Sequence, residues 1–535
     1  GTGIQFIYES DGRLINSAQI TGNVTDKEEL TLLETVEGFG RLVHSIGVSV
    51  ETDRPEETAE FVFQMYGKKD LYGGGTNLTA SLKCDGMEHR IYLSDYRWTE
   101  DDHVPGQIKI LFAAPERMGK VSVRLFLNDG YEAPPEEEDL VIDMHSEEYC
   151  GMISRSLLQL GNPYRIRKAI EKSKAGKEVT LAYIGGSITQ GAGAIPIHTE
   201  CYAYKSFQLF QNRFSTQNNV RFIKAGVGGT PSELGMIRFD RDVLREGERP
   251  DIVVIEFAVN DEGDETKGVC YESLVRKVLK LPWKPAVVLL FSVFANDWNL
   301  QERLRPVGDL YDLPMVSIRD AVTPQFSLKC GEGRILSKNQ FFYDIFHPNN
   351  IGHTIMADCL QYLFERCDAA EPARVGTFVE GMTEEQILSE KLSGPAVIGA
   401  DFERIFLLDK KNRYVGAKIR AGGFTSTDME LQSVEMDGNL TQTPEFPYNW
   451  MYDGSRLQMP GFEMEITCKS LFLIFKDSGE MDVGKANVFV NDVYCMTADP
   501  HKNNWLHCNA VLLFWKTESR SHKVRIAVTE EDRNK

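Results

Sequence analysis

The order of apolar and polar positions divides the chain into three segments, and the first reads as β-structure. In residues 1–148, short alternating runs are separated by polar turns rich in Gly, Asp and Pro. Because successive side chains of a strand point to opposite faces, this spacing predicts an antiparallel, jelly-roll-like β-sandwich. The runs that carry the prediction are 46–52, 60–65, 107–112 and 121–126.

Residues 149–371 show a different pattern, in which apolar runs alternate with amphipathic stretches. Strands separated by helices predict a parallel sheet with helices on both faces. Ligands of such sheets bind beyond the carboxyl ends of the strands. The predicted strands are 179–184, 220–224, 251–257, 286–292 and 314–318, and the predicted helices are about 163–172, 202–214, 233–245, 270–280, 299–310 and 350–367.

Residues 372–535 return to a β pattern with polar turns, which predicts a second β-sandwich as an accessory domain. At 535 residues the chain is too long for one core, and two to four domains are expected from its length. The three patterns predict three domains in the order β, α/β, β. The predicted strands of the last segment are 396–400, 404–408, 470–476, 486–491, 510–515 and 522–528.

Charge and cysteine content exclude several classes of partner. The formal net charge is -20. Nucleic acid and anionic membranes bind basic protein surfaces, so neither is expected as a partner. The sequence contains no apolar run of eighteen residues, so no transmembrane helix is predicted. Ten scattered cysteines without CxxC pairs or zinc spacing predict no structural metal and favour a reducing, cytoplasmic location. Secretion after removal of a signal peptide is the alternative.

The run 181–191 is the most informative stretch of chemistry. An apolar strand ends in Gly185 and Gly186 and is followed by Ser187. A serine on a tight turn at the end of a central strand presents its hydroxyl as a nucleophile and its N–H as an oxyanion donor. Taken alone, the same residues are also typical of a structural glycine–serine turn.

Polar residues follow the other predicted strands in the same way. Gly228–Gly229 comes after the second strand, Asn260 after the third, and Asp344 and His347 precede the last helix. Each has a structural alternative, namely a turn, a helix cap or a packed histidine. The four groups together, each at an expected strand end and in one order, favour a hydrolytic site.

These four groups resemble the conserved blocks of the SGNH (GDSL-like) hydrolase superfamily over about 175–367. The resemblance implies Ser187 as nucleophile, with Asp344 and His347 as the acid and base of a triad. It implies an oxyanion hole formed by the Ser187 N–H, the Gly229 N–H and the Asn260 side chain. One departure is that the first block reads Gly-Gly-Ser-Ile rather than Gly-Asp-Ser-Leu, which bears on the subfamily rather than on the chemistry.

The resemblance also implies a fold and a reaction. The middle segment is expected to be a flavodoxin-like three-layer α/β domain between N-terminal and C-terminal β-sandwich domains. The expected reaction is ester hydrolysis through an acyl-enzyme, which needs no metal and no organic cofactor.

The layout of a β-sandwich before such a domain is similar to bacterial acetylxylan and acetylmannan esterases, which favours an acetylated oligo- or polysaccharide as substrate. Trp298 and Trp505 are the candidate sugar platforms, although each is also compatible with a purely structural role. Two alternatives remain open: a lipolytic acyl-ester or thioester hydrolase, and a glycan-binding protein with a vestigial hydrolase domain. A homo-oligomer is compatible with the sequence, which does not fix the oligomeric state.

Overall fold

The computed structural model describes most of the chain. The described residues are 5–8, 15–19, 32, 35–68, 75–114, 119–128, 139–245, 247–326, 328, 330–344, 346–370, 382–434, 443–452, 460–478, 480, 482–502, 505–529 and 531–532. Within these ranges no helix is long and apolar enough to cross a bilayer.

The strands of the structure are numbered in chain order. They are β1 (Gln5–Tyr8), β2 (Ile15–Gln19), β3 (Val43–Thr52), β4 (Thr58–Gly67), β5 (Asn77–Lys83), β6 (His89–Tyr92), β7 (Asp102–Phe112), β8 (Gly119–Leu127), β9 (Leu157–Gln159), β10 (Val179–Gly185), β11 (Val220–Gly226), β12 (Ile252–Glu256), β13 (Ala286–Phe291), β14 (Met315–Ser317), β15 (Ala417–Arg420), β16 (Ser433–Val434), β17 (Thr443–Pro444), β18 (Phe462–Asp477), β19 (Ala486–Val490), β20 (Val493–Ala498) and β21 (His507–Val528).

The helices are numbered in the same way. They are α1 (Val36–Leu42), α2 (Glu147–Ser154), α3 (Tyr164–Lys174), α4 (Ser187–Gln190), α5 (Ile197–Glu200), α6 (Tyr202–Phe214), α7 (Ser232–Phe239), α8 (Val269–Leu279), α9 (Gln301–Tyr311), α10 (Ile318–Phe326), α11 (Lys338–Phe341), α12 (Asn350–Ala369) and α13 (Glu384–Ser393). A π-helical turn, Asp240–Leu244, continues α7, and short 3-10 turns lie at Leu93–Asp95, Asp261–Gly263 and Cys330–Glu332.

The chain forms two compact units. The first takes in Gly1–Gly151, Phe294–Asp297 and Val322–His353, and the second takes in Met152–Val293, Trp298–Ala321 and Thr354–Lys535.

The first unit contains two antiparallel sheets, in the orders β1-β2-β7-β4-β5 and β6-β3-β8. Apolar side chains from strands of both sheets meet in one core, where the rings of Phe39 and Phe63 make an edge contact at 5.4 Å. The four runs predicted as strands in residues 1–148 all lie within strands, because alternating burial against this core imposes the period of two on the sequence.

The second unit is built on a six-stranded sheet in the order β11-β10-β12-β13-β14-β9. All neighbours are parallel except β9, which pairs antiparallel with β14 at the edge. The direction in which strands are added to the sheet reverses between β10 and β12. In open α/β sheets this switch point is where ligands bind, beyond the carboxyl ends of the strands.

The five strands and six helices predicted for the middle segment are all present. Every residue of β10, β12 and β13 is buried, which explains the continuous apolar runs. Helix α3 buries Ile166, Ala169, Ile170 and Ser173 on one face, at the spacing expected of an amphipathic helix.

The remainder of the second unit carries a five-stranded antiparallel sheet, in the order β15-β18-β21-β19-β20, and the pair β16-β17. The strands predicted at 470–476 and 486–491 fall on β18 and β19, and those predicted at 510–515 and 522–528 are both parts of the single strand β21. The strands predicted at 396–400 and 404–408 are wrong, because these residues form loops. The buried carboxylate of Glu272 accepts the N–H groups of Val397 (3.0 Å), Ile398 (2.5 Å) and Gly399 (2.8 Å). Those donors are therefore satisfied by a side chain rather than by a neighbouring strand.

Candidate active site

Ser187 lies where β10 ends at the switch point of the sheet. A Cβ atom on Gly185 would lie 2.2 Å from Thr189 Oγ1 and 2.5 Å from the Glu256 carbonyl oxygen, so only glycine fits this turn. Ser187 opens the short helix α4, with the Gln190 N–H donating to the Gly186 carbonyl at 3.0 Å. The serine is only partly buried, so the strand–turn–helix leaves it accessible at the carboxyl ends of the strands.

Asn260 packs directly against the residue that precedes the serine. A Cβ atom on Gly186 would lie 2.2 Å from Asn260 Oδ1 and 2.8 Å from Nδ2. The Asn260 backbone is fixed just after β12 by its N–H, which donates to the Phe257 carbonyl at 3.0 Å. The carboxamide predicted as an oxyanion donor is thus brought next to the turn that carries Ser187.

The loop after β11 reaches the same place. The Val227 N–H donates to the Gly185 carbonyl at 3.2 Å, and a Cβ atom on Gly228 would lie 3.8 Å from Ser187 Cβ. Gly229 is exposed and has a φ of +67°, in the left-handed region that favours glycine. The structure therefore brings Ser187, Asn260 and the Gly228–Gly229 loop together at three adjacent strand ends.

Trp505 reaches this loop from the C-terminal part of the second unit. A Cβ atom on Gly229 would lie 2.3 Å from Cη2 of the Trp505 indole, so the ring lies close beside the glycine. The indole stacks on His507, with ring centroids 4.2 Å apart and planes inclined by 14°. It remains 38% exposed. Trp298, the other tryptophan singled out in the sequence, lies partly buried on the loop after β13.

Asp344 and His347 form a hydrogen-bonded pair in the first unit. His347 Nδ1 lies 2.8 Å from Asp344 Oδ2 and 3.0 Å from Oδ1, and the carboxyl is buried. Asp344 Oδ1 also accepts the N–H groups of Phe346 and His347, both at 2.7 Å, which fixes the loop. A carboxylate only accepts, so Nδ1 carries the ring proton and Nε2 is the basic nitrogen of the neutral imidazole.

Arg238 supports the ends of the strands that lead to the serine turn and the glycine loop, a role that the sequence did not predict; the sequence suggested it only as a possible partner of the buried Glu256. Its fully buried guanidinium donates to the carbonyls of Gly185 (2.8 Å) and Ala225 (2.7 Å), near the ends of β10 and β11. It also pairs with Asp242 at 3.1 Å. One signal was present in the sequence: an arginine within the otherwise apolar run of α7 is costly to bury unless it is bonded.

Two buried carboxyl groups hold the backbone around the Asn260 loop. Asp261 Oδ1 accepts the Ser232 N–H at 2.7 Å and so caps α7. Glu233 accepts the Thr266 N–H at 2.8 Å. Burial raises the pKa of Asp261 to about 8 and that of Glu233 to about 7. These side chains brace the loop through hydrogen bonds.

The segment that contains these residues is similar to known hydrolases. Residues 183–355, about a third of the chain, match the model of the GDSL-like Lipase/Acylhydrolase family, which confirms the resemblance for this segment. No curated protein matches the chain. The family match supports acyl-ester hydrolysis as the activity of the segment.

Several solved structures are similar to the chain. A two-domain esterase active on acetylated mannans (CEX) is 24% identical with a TM-score of 0.55, covering 71% of this chain and 93% of its own. The same enzyme co-crystallised with mannopentaose gives 24% identity and a TM-score of 0.55, with 71% of this chain and 94% of that one covered. An acetyl xylan esterase from Geobacillus stearothermophilus is 17% identical with a TM-score of 0.28, covering 36% and 96%. The likeness to the mannan esterase shows a shared fold.

Proposed function

We propose that the protein is a serine esterase that removes O-acetyl groups from carbohydrate. The observation that carries the proposal is the placement of Ser187 at the switch point, against Asn260 and the Gly228–Gly229 loop. The buried Asp344 that holds His347 Nδ1 supports a triad in which His347 is the base.

In the proposed reaction, His347 Nε2 takes the proton of Ser187 Oγ as the oxygen attacks the acetyl carbonyl carbon. The negative charge that develops on the carbonyl oxygen is stabilised by the N–H groups of Ser187 and Gly229 and by the Asn260 carboxamide. His347 then gives its proton to the sugar oxygen, which leaves as an alcohol. Water, deprotonated by His347, releases acetate from the acyl-enzyme in the same way.

The remaining parts of the proposal concern substrate, domains and location. Trp298 and the exposed face of Trp505 are proposed to stack on sugar rings, as aromatic faces do in carbohydrate sites. The proposed domains are a β-sandwich at 1–148, the hydrolase at 149–371 and a β-sandwich at 372–535. The solved esterase of similar fold that is active on acetylated mannans supports this choice of substrate class. The scattered cysteines of the sequence favour a cytoplasmic location.

The test is hydrolysis of 4-nitrophenyl acetate, butyrate and octanoate by the wild type, Ser187→Ala and Ser389→Ala. Ser389 is an exposed serine on α13 and is the matched control. We expect activity that falls with acyl length, is lost in Ser187→Ala and is retained in Ser389→Ala. Equal activity in all three proteins would refute the assigned nucleophile, and a preference for octanoate would favour a lipolytic enzyme.

A further inference from the structure

The Gly228–Gly229 peptide links the proposed oxyanion hole to the C-terminal part of the chain. The Gly229 N–H, a proposed oxyanion donor, and the Gly228 carbonyl belong to one planar peptide unit. Because the unit is rigid and trans, a partner that holds the Gly228 oxygen also fixes the direction in which the Gly229 N–H points.

Gln432 provides that partner. Its Nε2 donates to the Gly228 carbonyl oxygen at 3.1 Å. The two residues are 204 positions apart, so this contact exists only in the folded second unit. A hydrogen bond to a carbonyl oxygen also polarises the peptide and makes its N–H a stronger donor.

The segment that carries Gln432 is itself anchored. The Glu445 N–H donates to the Gln432 carbonyl at 2.8 Å, next to the paired strands β16 and β17. The neighbouring Leu431 is buried in a cluster with Leu234 and Ile237 of α7. The carboxamide of Gln432 is therefore presented to the glycine loop from a fixed backbone.

We propose that Gln432 is a positioning residue that aims the Gly229 N–H at the oxyanion. This inference rests on the proposed esterase function and adds to it a residue outside the matched hydrolase segment. A second contact joins the same loop to the C-terminal part of the chain, because the indole of Trp505, which precedes β21, lies close beside Gly229. The C-terminal part of the chain then contributes a residue that positions the catalytic machinery.

The test compares Gln432→Met, which keeps the size and removes the donor, with Gln208→Met, an exposed glutamine of α6 as control. We expect kcat for 4-nitrophenyl acetate to fall about 10-fold in Gln432→Met at unchanged KM, less than the roughly 10²–10³-fold typical of losing a donor outright. Inhibition by phenylboronic acid, whose tetrahedral adduct occupies an oxyanion hole, should weaken by a similar factor.

The outcomes separate the two proposals. An unchanged kcat and unchanged boronate inhibition in Gln432→Met, with activity lost in Ser187→Ala, would overturn the role of Gln432 alone. Activity that survives in Ser187→Ala would overturn Ser187 as the nucleophile, and a wild type without esterase activity would overturn the proposed function. If Gln432→Met fails to fold by its thermal transition, Gln432→Asn replaces it, because the shorter carboxamide loses the reach to Gly228 and is expected to show the same fall in kcat.

Discussion

At the scale of single residues, the Asp344–His347 pair determines which imidazole nitrogen is basic. Asp344→Asn keeps Oδ1 as an acceptor for the backbone N–H groups of the loop, but its amide disfavours a proton on His347 Nδ1. We expect kcat to fall roughly 10⁴-fold with little change in folding, as when a triad histidine is held in the wrong tautomer. Steady-state hydrolysis of 4-nitrophenyl acetate measures the effect.

The control for this variant is Asp85→Asn. Asp85 is exposed and its Oδ1 likewise accepts the N–H two residues on, from Met87 at 2.9 Å. It should retain wild-type activity. An Asp344→Asn protein with near wild-type kcat would show that His347 is not the base.

A substitution at Gly229 tests whether the conformation of the oxyanion loop matters for catalysis. In Gly229→Ala the new methyl group meets the Trp505 ring, and the φ of +67° costs a non-glycine residue roughly 1–2 kcal/mol. We expect the loop to shift and kcat to fall by roughly 10²-fold, as when an oxyanion donor is displaced. Gly333→Ala is the control, because Gly333 has a φ of +85° but nothing within 4 Å of its added Cβ. Equal kcat in the two variants would contradict the proposed role of Gly229.

The sequence identified the residues that follow strands, and missed those that act through tertiary contacts. Ser187, Gly229 and Asn260 could be found because buried parallel strands leave continuous apolar runs whose ends are easy to see. Arg238 reaches a carbonyl 53 positions away and Gln432 one 204 positions away. Nothing in the local pattern of either residue specifies these partners.

At the scale of secondary-structure elements, Arg238 joins the ends of β10 and β11. Arg238→Met removes two bonds to strand carbonyls and takes one cation from the buried Asp242. Breaking a buried ion pair on one side costs about 3–5 kcal/mol, and we expect that loss in urea unfolding. Arg213→Met is the control, since the Arg213 side chain is 62% exposed and pairs only at the surface with Glu365. Equal stability of both variants would contradict the role given to Arg238.

The buried Asp261 gives the stability a pH dependence. Its pKa is raised by burial to about 8, whereas the unfolded carboxyl titrates near its ordinary value of about 3.9. Folding therefore binds a proton between these values, and the cost of burying this group grows as pH rises from about 4 to about 8. Asp261→Asn, which keeps the acceptor for the Ser232 N–H, should gain stability over the wild type progressively across that window.

Unfolding in urea at pH 5, 6.5 and 8 measures this difference. The exposed Asp85→Asn serves again as the control for exchanging a carboxyl for an amide. A gain in Asp261→Asn that is absent at pH 8, or that shrinks as pH rises, would contradict the raised pKa.

The elements that were not predicted have physical explanations. β9, at Leu157–Gln159, is three residues long and joins the sheet through its antiparallel pairing with β14, so no periodic pattern marks it. The apolar loops at 396–408 place Ile398, Phe402 and Ile405 on the core of the α/β sheet. Glu272 accepts the N–H of Ile398, and the Ser273 hydroxyl accepts the N–H of Phe402. An apolar run therefore does not specify which group binds the backbone, nor that every apolar side chain is buried, since Val397 and Phe406 are exposed.

At the scale of the whole molecule, the proposed substrate predicts a separation between sugar binding and chemistry. Trp298→Ala should raise KM for an acetylated manno-oligosaccharide by a few-fold to about 10-fold, the range expected for one lost aromatic contact. KM and kcat for 4-nitrophenyl acetate, which lacks the sugar, should not change. Trp515→Ala, at a tryptophan of β21 that is 38% exposed, is the control. Identical kinetics of Trp298→Ala and the wild type on the oligosaccharide would remove Trp298 from the binding site.

The central claim is that Ser187 is the nucleophile of an ester hydrolase, and covalent labelling tests it most directly. The wild type is treated with a fluorophosphonate, which transfers its phosphonyl group to an activated serine, and the modified peptide is identified by mass spectrometry. We expect one labelled residue, Ser187, with no labelling of Ser187→Ala and strongly reduced labelling of His347→Ala. Labelling of a different serine, or undiminished labelling of Ser187→Ala, would contradict it.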